Sequence, residues 1–306
     1  MKFHFQQAVR AFILLAFSVM LFNMHSTGEI TKFINPKYEG LSQLASIIFL
    51  ILFLIQVTRV WTAKEEGHHH HSHHCNDHTC THDHGDSQLN VKKLFSYSII
   101  LFPLLTGFFL PPKTLDAAVA SKKGGMEILT NYPKTNKKEE PNVQEEESGD
   151  AGEDIVSIPE FDIHTPMRTE EYDNLIQLLE KSQTVKMDDH VFNAYYEEIH
   201  KDFRKYQGRT IELKGFVYKE EGFTQEQFVI SRFLITHCVA DASIIGFLTE
   251  LSGSSSIDTD TWIEVKGVID ITTYNGMELP IIKITEWKKT AEPDEPYIYP
   301  LTIQLL

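Results

Sequence analysis

The stretch RTIELKGFVY, residues 209–218, alternates Ile211 and Leu213 with polar neighbours before Phe216. That period of two is the signature of a half-buried strand, and it marks the point where the chain changes its local structure. Upstream the period is helical. TEEYDNLIQLLEKS places Tyr172, Leu175, Ile176 and Leu179 at i, i+3, i+4 and i+7, with Thr169 as the expected N-cap. DDHVFNAYYEEIHKDFRKYQG opens with Asp188 or Asp189 at its cap, presents Phe192, Tyr195, Tyr196, Ile199 and Phe203, and stops near Gly208. Downstream, QFVISRFLITHCVA, ASIIGFL, TWIEVKGVIDITTY and ELPIIKITEW read as further strands, rich in β-branched and aromatic residues. Five strands within about 80 residues, with Gly215 and Gly267 where a strongly bent strand needs no side chain, predict a Greek-key barrel of OB type over residues 209–290. A five-stranded open sheet is the alternative.

The opposite end of the chain is apolar. Residues 8–24, 41–60 and 94–110 are the expected membrane spans; Leu41 to Thr58 carries no charge, and the third span contains Pro103 and Gly107. The expected class is therefore an α+β membrane protein with three N-terminal transmembrane helices. A domain of two helices and a barrel follows, over residues 161–306. Lys2 and Arg10 precede the first span, and Arg59, Lys64, Lys92 and Lys93 flank the loop 61–93, against Lys32 and Lys37 in the loop between. The positive-inside bias puts the N-terminus and loop 61–93 in the cytoplasm of a multi-pass plasma-membrane protein, and the C-terminal domain outside. Residues 113–160 include the run NKKEEPNVQEEESGDAGED and read as an acidic, disordered linker. Ala118, Val119 and Ala120 near its start resemble a signal-peptidase site.

Loop 61–93 holds the densest chemistry. GHHHHSHHCNDHTCTHDHG, residues 67–85, contains nine of the fifteen histidines and two of the three cysteines. Neutral imidazole and thiolate are the preferred ligands of zinc and its neighbours. The candidate metal ligands are His68, His69, His70, His71, His73, His74, Cys75, His78, Cys80, His82 and His84. A flexible surplus of donors suits a scavenger, sensor or hand-off loop for zinc or another transition metal. A possible second metal site is His237, Cys238 and Asp241, at the end of a strand where soft, borderline and hard ligands meet. The bland alternative is a buried structural Cys beside an exposed His.

His190 and His200, ten residues apart on one helix, are too distant to share an ion and read as surface residues. Glu197 and Glu198 read as a solvated face, and Arg232 as an exposed strand residue on a possible binding face. A net charge of -15 argues against nucleic acid as a partner and leaves lipid, metal ions and other proteins. No phosphate loop, Ser-His-Asp order or carboxylate pair is present, so no enzyme is expected.

Four blocks of the chain, LPPKTL, YQGRTIELKGFVY, QFVISRFLITHCVADAS and PYIYP, resemble the YcgQ-like family of bacterial membrane proteins, described as subunits of a two-component permease. The likeness runs over essentially the whole chain. It implies a plasma-membrane protein beside a separate multi-spanning permease subunit, in a setting linked to zinc or other metal homeostasis. Members of that family carry two adjacent Cys where this chain has His237 and Cys238, and a Cys-to-His exchange keeps a zinc ligand. The leading expectation is a non-catalytic accessory subunit in metal transport. The alternative is an extracytoplasmic OB-like module that binds a cell-wall polymer, a peptide or a partner protein.

Overall fold

The computed structural model describes residues 2–62, 91–110, 113–125 and 166–304. The chain divides into two units, Met1–Lys113 and Thr114–Leu306.

In the first unit, helix α1 (Phe5–Thr27) ends on Gly28, whose φ of 75° is the left-handed conformation that closes many helices. Asn35 accepts a hydrogen bond from the Lys37 backbone N–H, and Pro36 follows it to start the turn into α2 (Glu39–Thr58). Strands β1 (Lys2–Phe3) and β2 (Trp61–Thr62) pair antiparallel across the far ends of the two helices. Ser18 and Ser46 sit in the α1–α2 interface, and each hydroxyl donates to the other's backbone carbonyl at 3.0 Å. Small residues let the helices approach, and the reciprocal bonds satisfy two hydroxyls that lie in an apolar contact. Helix α3 (Val91–Phe109) meets α1 at Gly107, where a Cβ would stand 2.7 Å from the Met20 sulfur.

Leu41, Leu44, Ile47, Ile51, Leu54 and Ile55 of α2 are all exposed. A continuous apolar face of this kind marks a surface that meets lipid or another apolar partner. The segments Phe5–Thr27 and Pro36–Thr58 are long and apolar enough to cross a bilayer, in agreement with the first two expected spans. In α3 the apolar stretch Phe95–Phe109 is shorter.

The second unit begins with α4 (Ala117–Lys122), capped by the Asp116 carboxylate, which accepts from Val119 N–H. Ala117 and Ala120 enter the domain core, Leu115 N–H donates to the Tyr297 hydroxyl, and Ala117 N–H donates to Asp260. This corrects the expected linker: residues 114–122 are built into the domain, and the rest of it, 126–160, lies outside the described residues. The small triplet Ala118-Val119-Ala120 is part of a docked helix with Ala120 fully buried, not a presented cleavage site.

Strand β3 (Met167–Arg168) leads into α5 (Thr169–Lys181), then β4 (Thr184–Met187) and α6 (Phe192–Lys201). The N-cap of α5 is Arg168 rather than Thr169, its N–H held by the Glu171 carboxylate at 3.0 Å. Asp188 and Asp189 lie in the turn before α6, whose N-cap is Val191. All five expected strands form: β5 (Thr210–Tyr218), β6 (Gln227–Leu234), β7 (Ser243–Glu250), β8 (Trp262–Tyr274) and β9 (Met277–Lys289).

Asn275 and Gly276, at φ 50° and 77°, make the tight turn between β8 and β9. The β6–β7, β8–β9 and β5–β8 pairs are antiparallel, and β7 runs parallel to β9. The last residues of β5, Phe216–Tyr218, pair with β6. The order of partners therefore runs β5, β6, β7, β9, β8 and returns to β5. Beside this circuit, β4 adds parallel to β5, and β10 (Tyr297–Ile298) parallel to β6. Strand β11 (Ile303–Gln304) pairs with β3 in a separate ladder. The protein is thus α+β, with two apolar N-terminal helices and a β-sheet domain.

Strands this bent touch backbone to backbone. A Cβ on Gly246 would lie 2.2 Å from the Ile230 carbonyl oxygen, and one on Gly215 2.6 Å from that of Ser231. Gly246→Ala is expected to lower the stability of the domain by about 1–3 kcal/mol, as an overpacked core does, read from urea unfolding of the full-length protein.

Candidate functional site

Strand β6 ends at Leu234, so His237 and Cys238 lie in a turn and not on the opposite faces of a strand. Asp241 organises that turn. Its carboxylate accepts from the backbone N–H groups of His237 (3.0 Å) and Cys238 (3.2 Å) and from His237 Nδ1 at 2.8 Å. Burial works to raise the Asp241 carboxyl, but the His237 ring and the two N–H donors outweigh it and hold the group below the ordinary carboxylate range. His237 and Asp241 are exposed, and Cys238, a free thiol, is half-buried.

Among the described residues, no group of three or more His, Cys, Asp or Glu side chains is arranged to hold a metal ion. The His237-Cys238-Asp241 set is a hydrogen-bonded turn in this structure. The eleven candidate ligands between His68 and His84 lie outside the described residues.

Arg232 corrects the expectation of an exposed binding face: it has no exposed surface. Its Nη1 donates to Asp189 at 2.5 Å, Nε to the Pro296 carbonyl at 3.1 Å and Nη2 to the Glu295 carbonyl at 3.3 Å. The guanidinium lies 5.3 Å from the centre of the Trp262 ring and 6.0 Å from that of Phe192.

Helix α6 covers the adjoining sheet surface. Tyr196 and His200 pack on Phe247 of β7, with ring centres 5.5 and 5.1 Å away. His200 is therefore not a surface residue. Part of its outline reaches the surface, but the imidazole is enclosed by the two aromatic rings, and Nδ1 meets the Tyr196 carbonyl at 2.9 Å. Burial pushes its pKa down to about 4, against a small opposing pull from that carbonyl. The β6–β7 surface, the expected ligand face of an OB module, is occupied by the protein's own helix and C-terminal segment.

An open cavity of about 970 Å³ lies elsewhere, over β4, β5, β8 and β9. Its floor is charged. In register across the strands stand Lys186, Glu212, Lys266 and Glu286, and one step along them Lys214, Glu264 and Lys288, with Asp188 just beyond β4. Sign alternates in both directions. Lys266 pairs with Glu212 at 3.1 Å and Lys288 with Glu264 at 2.6 Å. The alternating polar positions of RTIELKGFVY and TWIEVKGVID were visible as strand residues, but only the register reveals the pattern they build.

These features define a membrane-anchored α+β protein whose sheet domain has one self-covered face and one open, charge-patterned face. Residues 9–126 match the DUF1980 N-terminal domain and residues 164–300 the DUF1980 C-terminal domain. The UPF0703 protein YcgQ of Bacillus subtilis (strain 168) is 30% identical over 301 residues, covering 95% of this chain and 98% of the relative. A protein of Streptococcus mutans serotype c (strain ATCC 700610 / UA159), named as a two-component membrane permease complex subunit, is 24% identical over 295 residues, covering 95% and 98%. The chain belongs to the YcgQ family, as its four sequence blocks suggested.

Two measurements test these environments. Because the folded His200 pKa lies below the unfolded value of about 6.5, the unfolded chain binds the extra proton. His200 therefore contributes most to stability above pH 6.5, and that contribution is lost as pH falls toward 4. Urea midpoints between pH 7 and 4.5 should fall for the wild type and show a shallower fall for His200→Leu. Separately, Asp189→Asn leaves the Arg232 charge buried without its carboxylate and should cost about 1–3 kcal/mol in unfolding free energy, since the carbonyl partners remain.

Proposed function

We propose that this protein is a non-catalytic accessory subunit of a membrane permease complex that handles zinc or a similar transition metal. The observation that carries the subunit role is the near full-length similarity to the Streptococcus mutans protein named as a permease complex subunit. The metal assignment rests on the chemistry of residues 67–85, where nine imidazoles and two thiols stand within nineteen positions. In this reading α3 is a third span, the loop is cytoplasmic, and the sheet domain is extracytoplasmic and docks on the separate permease subunit. The loop gathers the ion and exchanges it rapidly, because its surplus donors fix no single coordination set. The domain is read as an OB-type barrel, supported by the partner order that returns to β5 and by the parallel β7–β9 pair.

The test is metal binding by the full-length protein in detergent. Elemental analysis after equilibration with zinc should find bound metal in the wild type and a large loss when His68–His71, His73, His74, His78, His82 and His84 are replaced by Ser. Unchanged stoichiometry in that variant would remove the loop from the metal assignment.

A further inference from the structure

The charged cavity over β4, β5, β8 and β9 has an occupant class written into its pattern. Strands stand about 4.8 Å apart, and positions i and i+2 of one strand about 6.6 Å apart. On this grid Glu212 and Lys214, Glu264 and Lys266, and Glu286 and Lys288 each place a negative and a positive group along one strand. A ligand of a single sign, such as a polyphosphate or an acidic polymer, meets as much repulsion as attraction there. A neutral polymer leaves the charges without new partners. A second copy of the same face has complementary charges, but both surfaces are concave and enclose a void. The matching shape is a slim segment inserted into the hollow.

We propose that this cavity is a docking groove for an extended polypeptide segment of a partner protein, one that carries Lys or Arg and Glu or Asp alternately at every second position. Such a strand presents one face of side chains at the same i, i+2 repeat as the floor, so each charge can stand over its opposite. Lys186 and Lys214 are in no ion pair among the described residues, and they are the first positions for the segment's carboxylates. The Lys266–Glu212 and Lys288–Glu264 pairs are exposed and exchange for a ligand's charges at little cost. Glu286, in register with Lys266, is in no ion pair among the described residues either and offers a carboxylate to a cationic side chain of the segment. The inference rests on the reading of the chain as a complex subunit, which needs a docking face.

The experiment uses the full-length protein in lipid nanodiscs and fluorescein-labelled synthetic peptides, followed by anisotropy. One peptide alternates Lys and Glu at every second position with Ser between; a second has the same composition with Lys and Glu in separate blocks; two others are all-Lys and all-Glu. The alternating peptide should bind about tenfold more tightly than the block peptide, as electrostatic complementarity demands. Binding should weaken in 0.5 M salt and in Lys186→Glu/Lys214→Glu, with the milder Lys214→Gln as a variant that leaves the fold undisturbed. Equal binding of the block peptide, tighter binding of either single-sign peptide, or no binding at millimolar peptide would overturn the proposal. Carbodiimide links between isotope-distinct copies of the chain through this face would instead identify the occupant as a second copy. Because no permease subunit takes part, failure here leaves the subunit reading standing.

Discussion

A guanidinium with no exposed surface constrains everything around it. Arg232 sits on β6, and its donors are satisfied by the Asp189 carboxylate from the turn before α6 and by carbonyls of Glu295 and Pro296 from the C-terminal segment. Leaving any of those segments undocked would strand a buried charge, which is far more costly than losing an apolar contact. One side chain thus couples the start of α6, the strand β10 that follows Pro296, and the sheet between them. With Trp262 and Phe192 against its faces, it also explains why the surface of β6 and β7 is closed by the protein itself.

That closure shapes what the domain can offer. The β6 and β7 strands are buried along nearly their whole length, on both faces, and their sequences QFVISRFL and SIIGFLTE are correspondingly apolar. The strands β5, β8 and β9 instead carry Lys and Glu at alternate positions over part of their length, so one surface remains wet and open. Recognition is moved from the covered face to the open one. The chain as a whole is strongly acidic, at -15, whereas the groove carries four lysines against five carboxylates. The rest of the surface repels anions in general, and the groove selects by pattern.

The five principal sheet strands and two principal helices were legible because each is long enough to display its period. Shorter elements were not. AAVASK is six residues with no amphipathic stripe, and its helix exists because Asp116 caps it and two alanines fit the core. Strands β4 and β10, of four and two residues, form only because longer neighbours offer an edge. Arg232 was misread because a charged residue in a strand is ordinarily exposed. The continuous apolar run around it was the available signal that neither face of β6 meets water. The same holds for His200, whose partner Phe247 lies 47 positions away in sequence and is brought to it only by the fold. At His237, Cys238 and Asp241 the local geometry was hidden: the strand ends three residues earlier, and Asp241 turns its carboxylate onto the turn's own N–H groups.

The membrane unit follows a different logic from the sheet domain. Between two helices that both prefer hydrocarbon, burial of apolar area supplies no net attraction, so close approach must come from small residues and internal hydrogen bonds. Ser18 and Ser46 meet both needs, and Gly107 lets α3 approach α1 at Met20. Their spacing was invisible to a hydropathy reading, which counts serine and glycine as weak interruptions of an apolar run. In the sheet domain water provides the driving force and a buried Arg the specificity; in the helical unit lipid removes the first and leaves packing to supply the second. A chain that belongs partly to each solvent therefore needs two sets of rules, and its polar exceptions, Ser18 and Ser46 in one unit and Arg232 in the other, are where each set is most exacting.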